Sequence, residues 1–255
     1  MLHEIKAVVE LQIVHYRPPM QRKLHRGGDV KSSLLPFVDP ATVASYTEQT
    51  PKKVPGLADL HRMTTFLLSE RAKPDAHILV VGAGGGLELS AMAQARPHWK
   101  FTGVDPSSAM LDVARHVTEP YCDQIELCEG TVDQLSLDSF DGATCLLTLH
   151  FLDRTERLRT LIEIRQRLNA GSALVIAHHA NPDGHPQKWL ARSAAFAVPD
   201  GQNSKSAAAS AKAMAERLTL LSPIEEEKML LEAGFAEPSL FYAALSFRGW
   251  VAFAD

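Results

Sequence analysis

Glycines spaced at alternate positions follow an apolar run in the first third of the chain. Residues 78–81 lead directly into Gly82, Gly84, Gly85 and Gly86. A tight turn from a buried strand into a helix uses backbone angles that glycine adopts readily, and a ligand can approach a glycine backbone closely. The first N–H groups of the following helix point towards such a ligand. The pattern therefore predicts a strand, a nucleotide-binding turn and a helix, in that order.

The spacing of the glycines distinguishes between kinds of nucleotide site. A dinucleotide fingerprint, G-x-G-x-x-G, would require a third glycine where Leu87 stands, and the pattern present is G-x-G-x-G at Gly82, Gly84 and Gly86. A phosphate loop would require Gly-Lys-Ser/Thr, but no lysine follows these glycines before Lys100. Phosphate binding is therefore the weaker hypothesis, and a purely structural turn stays open.

An acidic residue ends the next short apolar segment. Asp105 lies 23 residues after Gly82, close to the spacing at which a carboxylate at the end of a second strand meets a ribose diol. Hydrogen bonds from two hydroxyls to one carboxylate are charge-assisted and contribute about 1.5–3 kcal/mol each. An N-cap role for Asp105 is the alternative, because Pro106 suits the first position of a helix. Both roles can hold together.

With these residues in place, roughly residues 54–254 resemble the class I S-adenosylmethionine (SAM)-dependent methyltransferases. Segments similar to that family's third-strand turn, fourth strand, fifth helix-strand unit and closing helix with two strands are residues 129–135, 139–152, 154–178 and 232–254. The resemblance implies an α/β fold of three layers: a Rossmann-like seven-stranded sheet, mostly parallel with an antiparallel last strand, and helices on both faces. It also implies SAM as cofactor and S-adenosylhomocysteine (SAH) as product.

The resemblance further implies which residues bind the cofactor. They are Gly82, Ala83, Gly84, Gly86, Asp105, Pro106, Met110, Thr131, Val132, Leu147 and Thr148. Two acids that are frequent in the family are absent. Val80 stands two positions before the first glycine, and Thr131 follows Gly130. We therefore expect SAM binding with somewhat looser affinity.

Three short segments are more similar to one branch, the carboxy-SAM synthases of transfer-RNA wobble-uridine modification. They are residues 54–56, 148–152 and 247–251. Several polar anchors of that branch are missing, because Leu57 replaces a tyrosine, Leu146 an asparagine and Ala211 lies near the position of an arginine. Lys212 could replace that arginine as a point charge, but it lacks the planar guanidinium group that binds a carboxylate through two parallel hydrogen bonds. We expect a methyltransferase with a different substrate, and keep the synthase as an alternative.

Three histidines follow strands four and five. Methyl transfer depends mainly on alignment, which can supply about 7–11 kcal/mol. A general base adds roughly 10²–10⁴-fold when the acceptor is a hydroxyl or a protonated amine. His150, just past strand four, is the candidate base, followed by His178 and His179. The alternative for His150 is a core residue that shapes the cofactor site.

Composition is that of one catalytic domain. The chain has 255 residues, 45% hydrophobic and 22% charged, enough for one large core. A net charge of −4 gives no support to RNA as a partner, although an RNA acceptor stays open. Cys122, Cys128 and Cys145 are expected to be reduced thiols in the cytoplasm, without a zinc site. No run of 18 apolar residues exists, so we expect no membrane span.

The chain divides into two parts. Residues 1–33 are predicted to be a flexible basic leader, with an arm that touches acidic partners or RNA as the alternative. Residues 34–255 are predicted to form a single methyltransferase domain. Its segments 34–70 and 180–222 are expected to cap the site. Residues 34–66 and 180–222 are expected to encode the identity of a small-molecule substrate. Tyr46 and His61 are the residues of the first cap expected to face inward.

Two expectations concern partners and activity. The related branch tends to form homodimers, so a homodimer is the expected assembly if the likeness extends that far. The missing acids at positions 80 and 131 keep a different class of function open, namely a SAM-binding regulatory protein without chemistry.

Overall fold

A seven-stranded sheet forms the centre of the computed structural model, which describes residues 40–198 and 204–255. Its strands are β1 (His77–Val81), β2 (Lys100–Asp105), β3 (Ile125–Glu129), β4 (Phe140–Leu146), β5 (Leu168–His179), β6 (Phe235–Ala244) and β7 (Phe247–Ala254). The strand order is β3-β2-β1-β4-β5-β7-β6. Strands β1 to β5 pair in parallel, whereas β7 runs antiparallel to both β5 and β6. The predicted sheet, with its antiparallel last strand, is confirmed. The predicted leader, residues 1–33, lies outside the described residues.

Helices cover both faces of the sheet. They are α1 (Pro40–Lys53), α2 (Leu57–Ser69), α3 (Leu87–Ala95), α4 (Ser108–Val117), α5 (Arg154–Gln166), α6 (Pro186–Phe196), α7 (Ser204–Arg217) and α8 (Pro223–Glu232). Within the described residues, three short 3₁₀ helices span Glu119–Gln124, Val132–Gln134 and Leu149–Phe151. No helix in residues 40–198 and 204–255 is long and apolar enough to cross a bilayer.

Strand β1 shows why the sheet needs cover on both sides. Its side chains alternate between two buried clusters: Leu79 packs with Ile164 and Trp250 on one face, and Val80 packs with Leu60 on the other. A parallel strand buried on both faces reads as a continuous apolar run rather than an alternating one. The apolar run before Gly82 is therefore an interior strand of a three-layer domain.

The helix after β2 begins later than the sequence suggested. The Ser107 hydroxyl caps α4 by accepting the Met110 N–H at 3.3 Å, and the helix starts at Ser108. Pro106 precedes the helix instead of opening it. The alternative prediction of an Asp105 N-cap is therefore wrong, and the Asp105 carboxylate remains available for the glycine turn.

The second variable segment contributes a helix pair. Helix α7 packs against α6, with Ala211 buried and Lys212 exposed. Helix α6 also contacts α1, so parts of the two expected cap segments meet. The pair extends the domain beside the carboxyl ends of the strands.

Candidate functional site

A cavity of about 150 Å³ lies at the carboxyl ends of β1, β2 and β4. Ligands in open α/β sheets bind at this edge, because loops from neighbouring parallel strands meet there. Among its lining residues are nine that the sequence predicted as cofactor-binding: Gly82, Gly84, Asp105, Pro106, Met110, Thr131, Val132, Leu147 and Thr148. The structure therefore brings together residues from four separate turns.

The glycine turn is held by backbone hydrogen bonds to β2. The N–H groups of Gly82 and Ala83 donate to the Val104 carbonyl at 2.9 and 3.0 Å. Gly82 has a φ of 73°, and a Cβ at this position would collide with the Thr148 side chain. Glycine is required at position 82 for both its conformation and the closeness of β4's end.

The Asp105 carboxylate connects the turn to the end of β2. Its Oδ2 accepts the Gly84 N–H at 2.9 Å, and its Oδ1 accepts the Ser107 N–H at 2.8 Å. Burial raises the pKa of Asp105, and the hydrogen bonds from Ser107 and Gly84 act in the opposite direction. Each carboxylate oxygen can accept a second hydrogen bond, so Asp105 can still bind two ligand hydroxyls.

Two of the predicted glycine-turn residues lie outside this lining. Gly86 has a φ of 78°, and a Cβ there would lie 2.9 Å from the Cα of Ala114 on α4. Its role in the structure is close helix packing rather than contact with the cavity. Ala83 lines a smaller adjoining pocket of about 20 Å³ instead.

The turn after β3 presents a polar and an apolar side chain side by side. Val132 is buried, and the Thr131 hydroxyl donates to Oδ1 of Asp133 at 2.5 Å. Asp133 also lines the cavity, although the sequence prediction did not include it. An acid two positions after Thr131, in the same turn, was the signal that could have identified it.

Helix α5 supplies a charged wall that the sequence prediction missed. Its lining residues are Glu156, Arg159, Thr160 and Glu163. Arg159 contacts Glu156 at 2.8 Å and Asp133 at 3.7 Å. Because a surface helix with mixed charges gives no local sign of facing a ligand, only packing reveals this wall.

Tyr46 on α1 covers the glycine turn from the opposite side. A Cβ on Gly85 would lie 2.6 Å from Cδ1 of Tyr46, and one on Gly84 would lie 3.4 Å from its hydroxyl. Burial raises the pKa of Tyr46 to about 12, so the phenol is neutral. Tyr46 lines both the cavity and the small pocket, as expected for an inward-facing residue of the first cap segment.

Besides Tyr46, the small pocket contains two buried titratable groups. Burial raises the pKa of Glu88 from 4.5 to about 7, although the nearby Thr144 hydroxyl lowers it. Burial lowers the pKa of His61 to about 4. His61 therefore faces inward, as expected, and it is neutral at pH 7.

The three candidate catalytic histidines lie together, away from the cavity lining. Nδ1 of His150 accepts the backbone N–H of His179 at 3.3 Å, and its ring packs on Phe151. Burial and the neighbouring histidines hold the pKa of His150 well below its usual value. His178 contacts Glu226 at 2.9 Å, and His179 contacts the Ser246 hydroxyl at 2.7 Å. These contacts are those of a buried polar cluster, and they do not bring His150 to the cavity.

Metal chemistry finds no support in the residues described. No group of three or more His, Cys, Asp or Glu side chains in residues 40–198 and 204–255 could hold a metal ion. Cys122, Cys128 and Cys145 are all free.

Comparison with known proteins gives consistent matches. Residues 78–171 match a family model described as a methyltransferase domain. A carboxy-S-adenosyl-L-methionine synthase of Campylobacter lari is 28% identical over 54% of this chain, but the match spans only 59% of that protein. The same-named protein of Chromohalobacter salexigens is 26% identical, over 85% of this chain and 83% of its own length.

A solved structure shares the fold. Magnesium protoporphyrin IX methyltransferase of Synechocystis, with bound SAM, superposes with a TM-score of 0.55 at 15% identity, covering 78% of this chain and 80% of that one. In its fold and in these sequence matches, the chain is similar to the class I SAM-dependent methyltransferases, in which SAM is the cofactor.

Proposed function

We propose that this methyltransferase transfers the methyl group of SAM to a small-molecule or modified-nucleoside acceptor. The observation that carries the cofactor placement is the buried Asp105 carboxylate, held by Gly84 and Ser107 at the mouth of the glycine turn. In this position it supports binding of the two ribose hydroxyls of SAM. The methionine end would then lie towards Gly82 and Tyr46, and the adenine towards Val132 and its neighbours.

The remaining cavity residues support the same orientation. Val132 and Leu147 offer apolar surfaces for the adenine ring, and Asp133 offers a carboxylate to its amino group. Asp133 would thus accept the hydrogen bond from the adenine amino group that an acid at position 131 accepts in related proteins. Methyl transfer is an in-line displacement at an activated carbon, so the chain's task is alignment and exclusion of water. We assign His150 a structural role, because it does not line the cavity and its ring packs between Phe151 and His179.

The charge around the cavity favours transfer of a methyl group over formation of a carboxylated SAM. Lys212, the substitute considered for a carboxylate-binding arginine, is exposed on α7 and does not line the cavity. Arg159 does line it, but its side chain pairs with Glu156. The alternative is favoured by the names of the relatives, which are carboxy-SAM synthases. Mass spectrometry of the ligand released from purified protein separates the two: carboxylated SAM would support the alternative.

A labelled-methyl assay tests the proposed reaction. The protein is incubated with methyl-labelled SAM and, separately, with a metabolite extract, a nucleoside mixture and unmodified transfer RNA. We expect label in a metabolite or nucleoside, and none when Asp105→Ala replaces the wild type. SAM binding without labelled product in any pool would instead support a regulatory SAM-binding protein. Label in intact transfer RNA alone would identify a macromolecular acceptor.

Two further features of the proposal concern where and how the protein works. Free thiols at Cys122, Cys128 and Cys145 support a reducing compartment, and we propose the cytoplasm. A homodimer is proposed from the related branch alone, and light scattering of the purified protein measures it.

A further inference from the structure

Glu88 is a buried carboxylate with an unsatisfied oxygen. It lies in the first turn of α3 and is 7% exposed. Its Oε1 has no hydrogen-bond partner in the described part of the chain. A buried charged group without a partner is costly, so such an oxygen needs an explanation.

The surroundings of Glu88 contain no positive charge. The ten residues that line its small pocket include no lysine or arginine, and the two titratable neighbours there, Tyr46 and His61, are both neutral at pH 7. Thr144, from β4, lies near the carboxylate but makes no hydrogen bond of normal geometry with it. The Cys145 thiol, also nearby, is uncharged because burial raises its pKa.

Glu88 lies near the position on β1 where the family frequently has an acid and this chain has Val80. Thr144 pairs with Val80 across the sheet, so the two side chains point to the same face. The Glu88 carboxylate approaches that face from the helix. It therefore places an ionisable carboxyl group on the face of the sheet to which Val80 points, where the strand itself contributes none.

The small pocket opens onto the site proposed for SAM. It shares Tyr46, Gly82, Leu146 and Leu147 with the larger cavity. Its volume of about 20 Å³ is enough for one small polar group. A ligand in the cavity can therefore extend a single terminal group towards Glu88.

We infer that this pocket is an amino-group subsite, in which Glu88 binds the ammonium or amine of a ligand held in the larger cavity. An amino group supplies both the donor that Oε1 lacks and, when protonated, the opposite charge. The inference rests on the proposed function. Two sources share this chemistry: the methionine end of SAM, and an amine on the methyl acceptor.

Calorimetric titration distinguishes the two sources. SAH carries the amino group, desamino-SAH lacks it, and 5′-methylthioadenosine lacks the whole amino-acid portion. If Glu88 binds the cofactor's amino group, Glu88→Gln weakens SAH binding about tenfold to a hundredfold, as expected for a lost charged hydrogen bond. The affinity for 5′-methylthioadenosine stays unchanged. Glu232→Gln, an exposed substitution on α8, is the matched control and should change neither affinity.

The wild-type protein supplies the same comparison without a mutation. Desamino-SAH should bind at least tenfold more weakly than SAH if the cofactor is the source. If the two bind equally, the amine of the acceptor is the remaining source, and methylammonium chloride should then raise the melting temperature of SAH-saturated wild type but not of Glu88→Gln. Tetramethylammonium chloride, which cannot donate a hydrogen bond, is the salt control.

One outcome would contradict the amino-group subsite, and a different outcome would contradict the proposed SAM site. Equal binding of SAH and desamino-SAH together with no methylammonium effect overturns the amino-group subsite and leaves a water molecule as the partner of Glu88. Failure of 5′-methylthioadenosine to bind the wild type overturns the SAM site itself. Binding of that compound therefore separates the two failures.

Discussion

Two buried carboxylates stand at opposite ends of the proposed cofactor site, and their surroundings differ. Asp105 accepts a backbone N–H on each oxygen, from Gly84 and from Ser107. Glu88 has one oxygen without a partner and neighbours without positive charge. The end that we propose binds the ribose is thus organised before any ligand binds, whereas in our proposal a ligand completes the opposite end. The preorganised hydrogen bonds of Asp105 lower the free-energy cost of binding. The unpaired oxygen of Glu88 makes binding selective for a ligand that can donate a hydrogen bond to it.

The largest effect is expected at the preorganised end. Asp105→Ala removes two charge-assisted hydrogen bonds to the ribose, about 3–6 kcal/mol in total, and leaves the Gly84 N–H without its partner. We expect at least a hundredfold loss of affinity for both SAH and 5′-methylthioadenosine, measured by calorimetry. A loss of affinity for SAH alone would mean that the ribose binds elsewhere. The proposed difference between Asp105 and Glu88 would then be wrong.

The next effect is a pH dependence of the free energy of unfolding that is caused by Glu88. The pKa of Glu88 is raised from 4.5 to about 7 in the folded protein, so its contribution to stability is fully present below pH 4.5 and lost as the pH rises through 7. Glu88→Gln does not titrate. In the ligand-free protein, the variant should equal the wild type near pH 4.5 and exceed it by about 3 kcal/mol at pH 8.

Urea unfolding of both proteins across this pH range measures the difference. Every other ionisable residue is the same in the two proteins, so the comparison isolates the residue at position 88. Saturation with SAH should reduce the difference at pH 8 if the cofactor's amino group reaches Glu88. A difference in unfolding free energy that is independent of pH would contradict the burial of an ionisable carboxyl there.

A smaller effect is expected from the turn that carries Asp105's partner. Gly82→Ala introduces a Cβ at a φ of 73° and against Thr148. The left-handed conformation alone costs about 1–2 kcal/mol, and the collision adds to it. Gly171→Ala is the matched control, since its φ is 76° but no atom lies within 4 Å of the new Cβ.

Denaturant unfolding and SAH titration of both glycine variants provide the measurement. We expect both variants to lose stability, Gly82→Ala the more, and only Gly82→Ala to lose SAH affinity. Equal losses of stability would mean that Thr148 moves aside freely.

The smallest effect is expected at His150. Glutamine at this position retains an acceptor for the His179 N–H. His150 does not itself line the cavity, although its ring packs on Phe151, which does. We expect kcat to change by less than about threefold in the labelled-methyl assay, whereas loss of a general base would lower it by roughly 10²–10⁴-fold. A loss of kcat of that size would mean that His150 acts as a general base.

Several features followed from sequence alone because they depend on neighbours along the chain. A buried parallel strand requires a continuous apolar run, and a tight turn into a helix requires glycine, so residues 78–86 could be read locally. Asp105 followed from its distance to that turn. The resemblance added the seven-stranded, mostly parallel sheet and the antiparallel β7, which the structure has.

Other features depended on which elements pack together. Ser107 displaced Asp105 as the helix cap because the carboxylate is bound to Gly84, a residue 21 positions earlier. His150 is buried by β5, whereas a sequence shows only that it follows a strand. The charged wall of α5 and the cover provided by Tyr46 have no local pattern that separates them from ordinary surface residues.

The sequence by itself determined the sheet, the glycine turn and the carboxylate that we propose binds the ribose. Only the tertiary structure decided which helical residues face the site, above all Glu88. The physical reason is that backbone conformation responds to adjacent residues, whereas the burial and charge of a side chain depend on elements distant in sequence. For Glu88 those elements are the strands that carry Val80 and Thr144 and the helices that carry Tyr46 and His61.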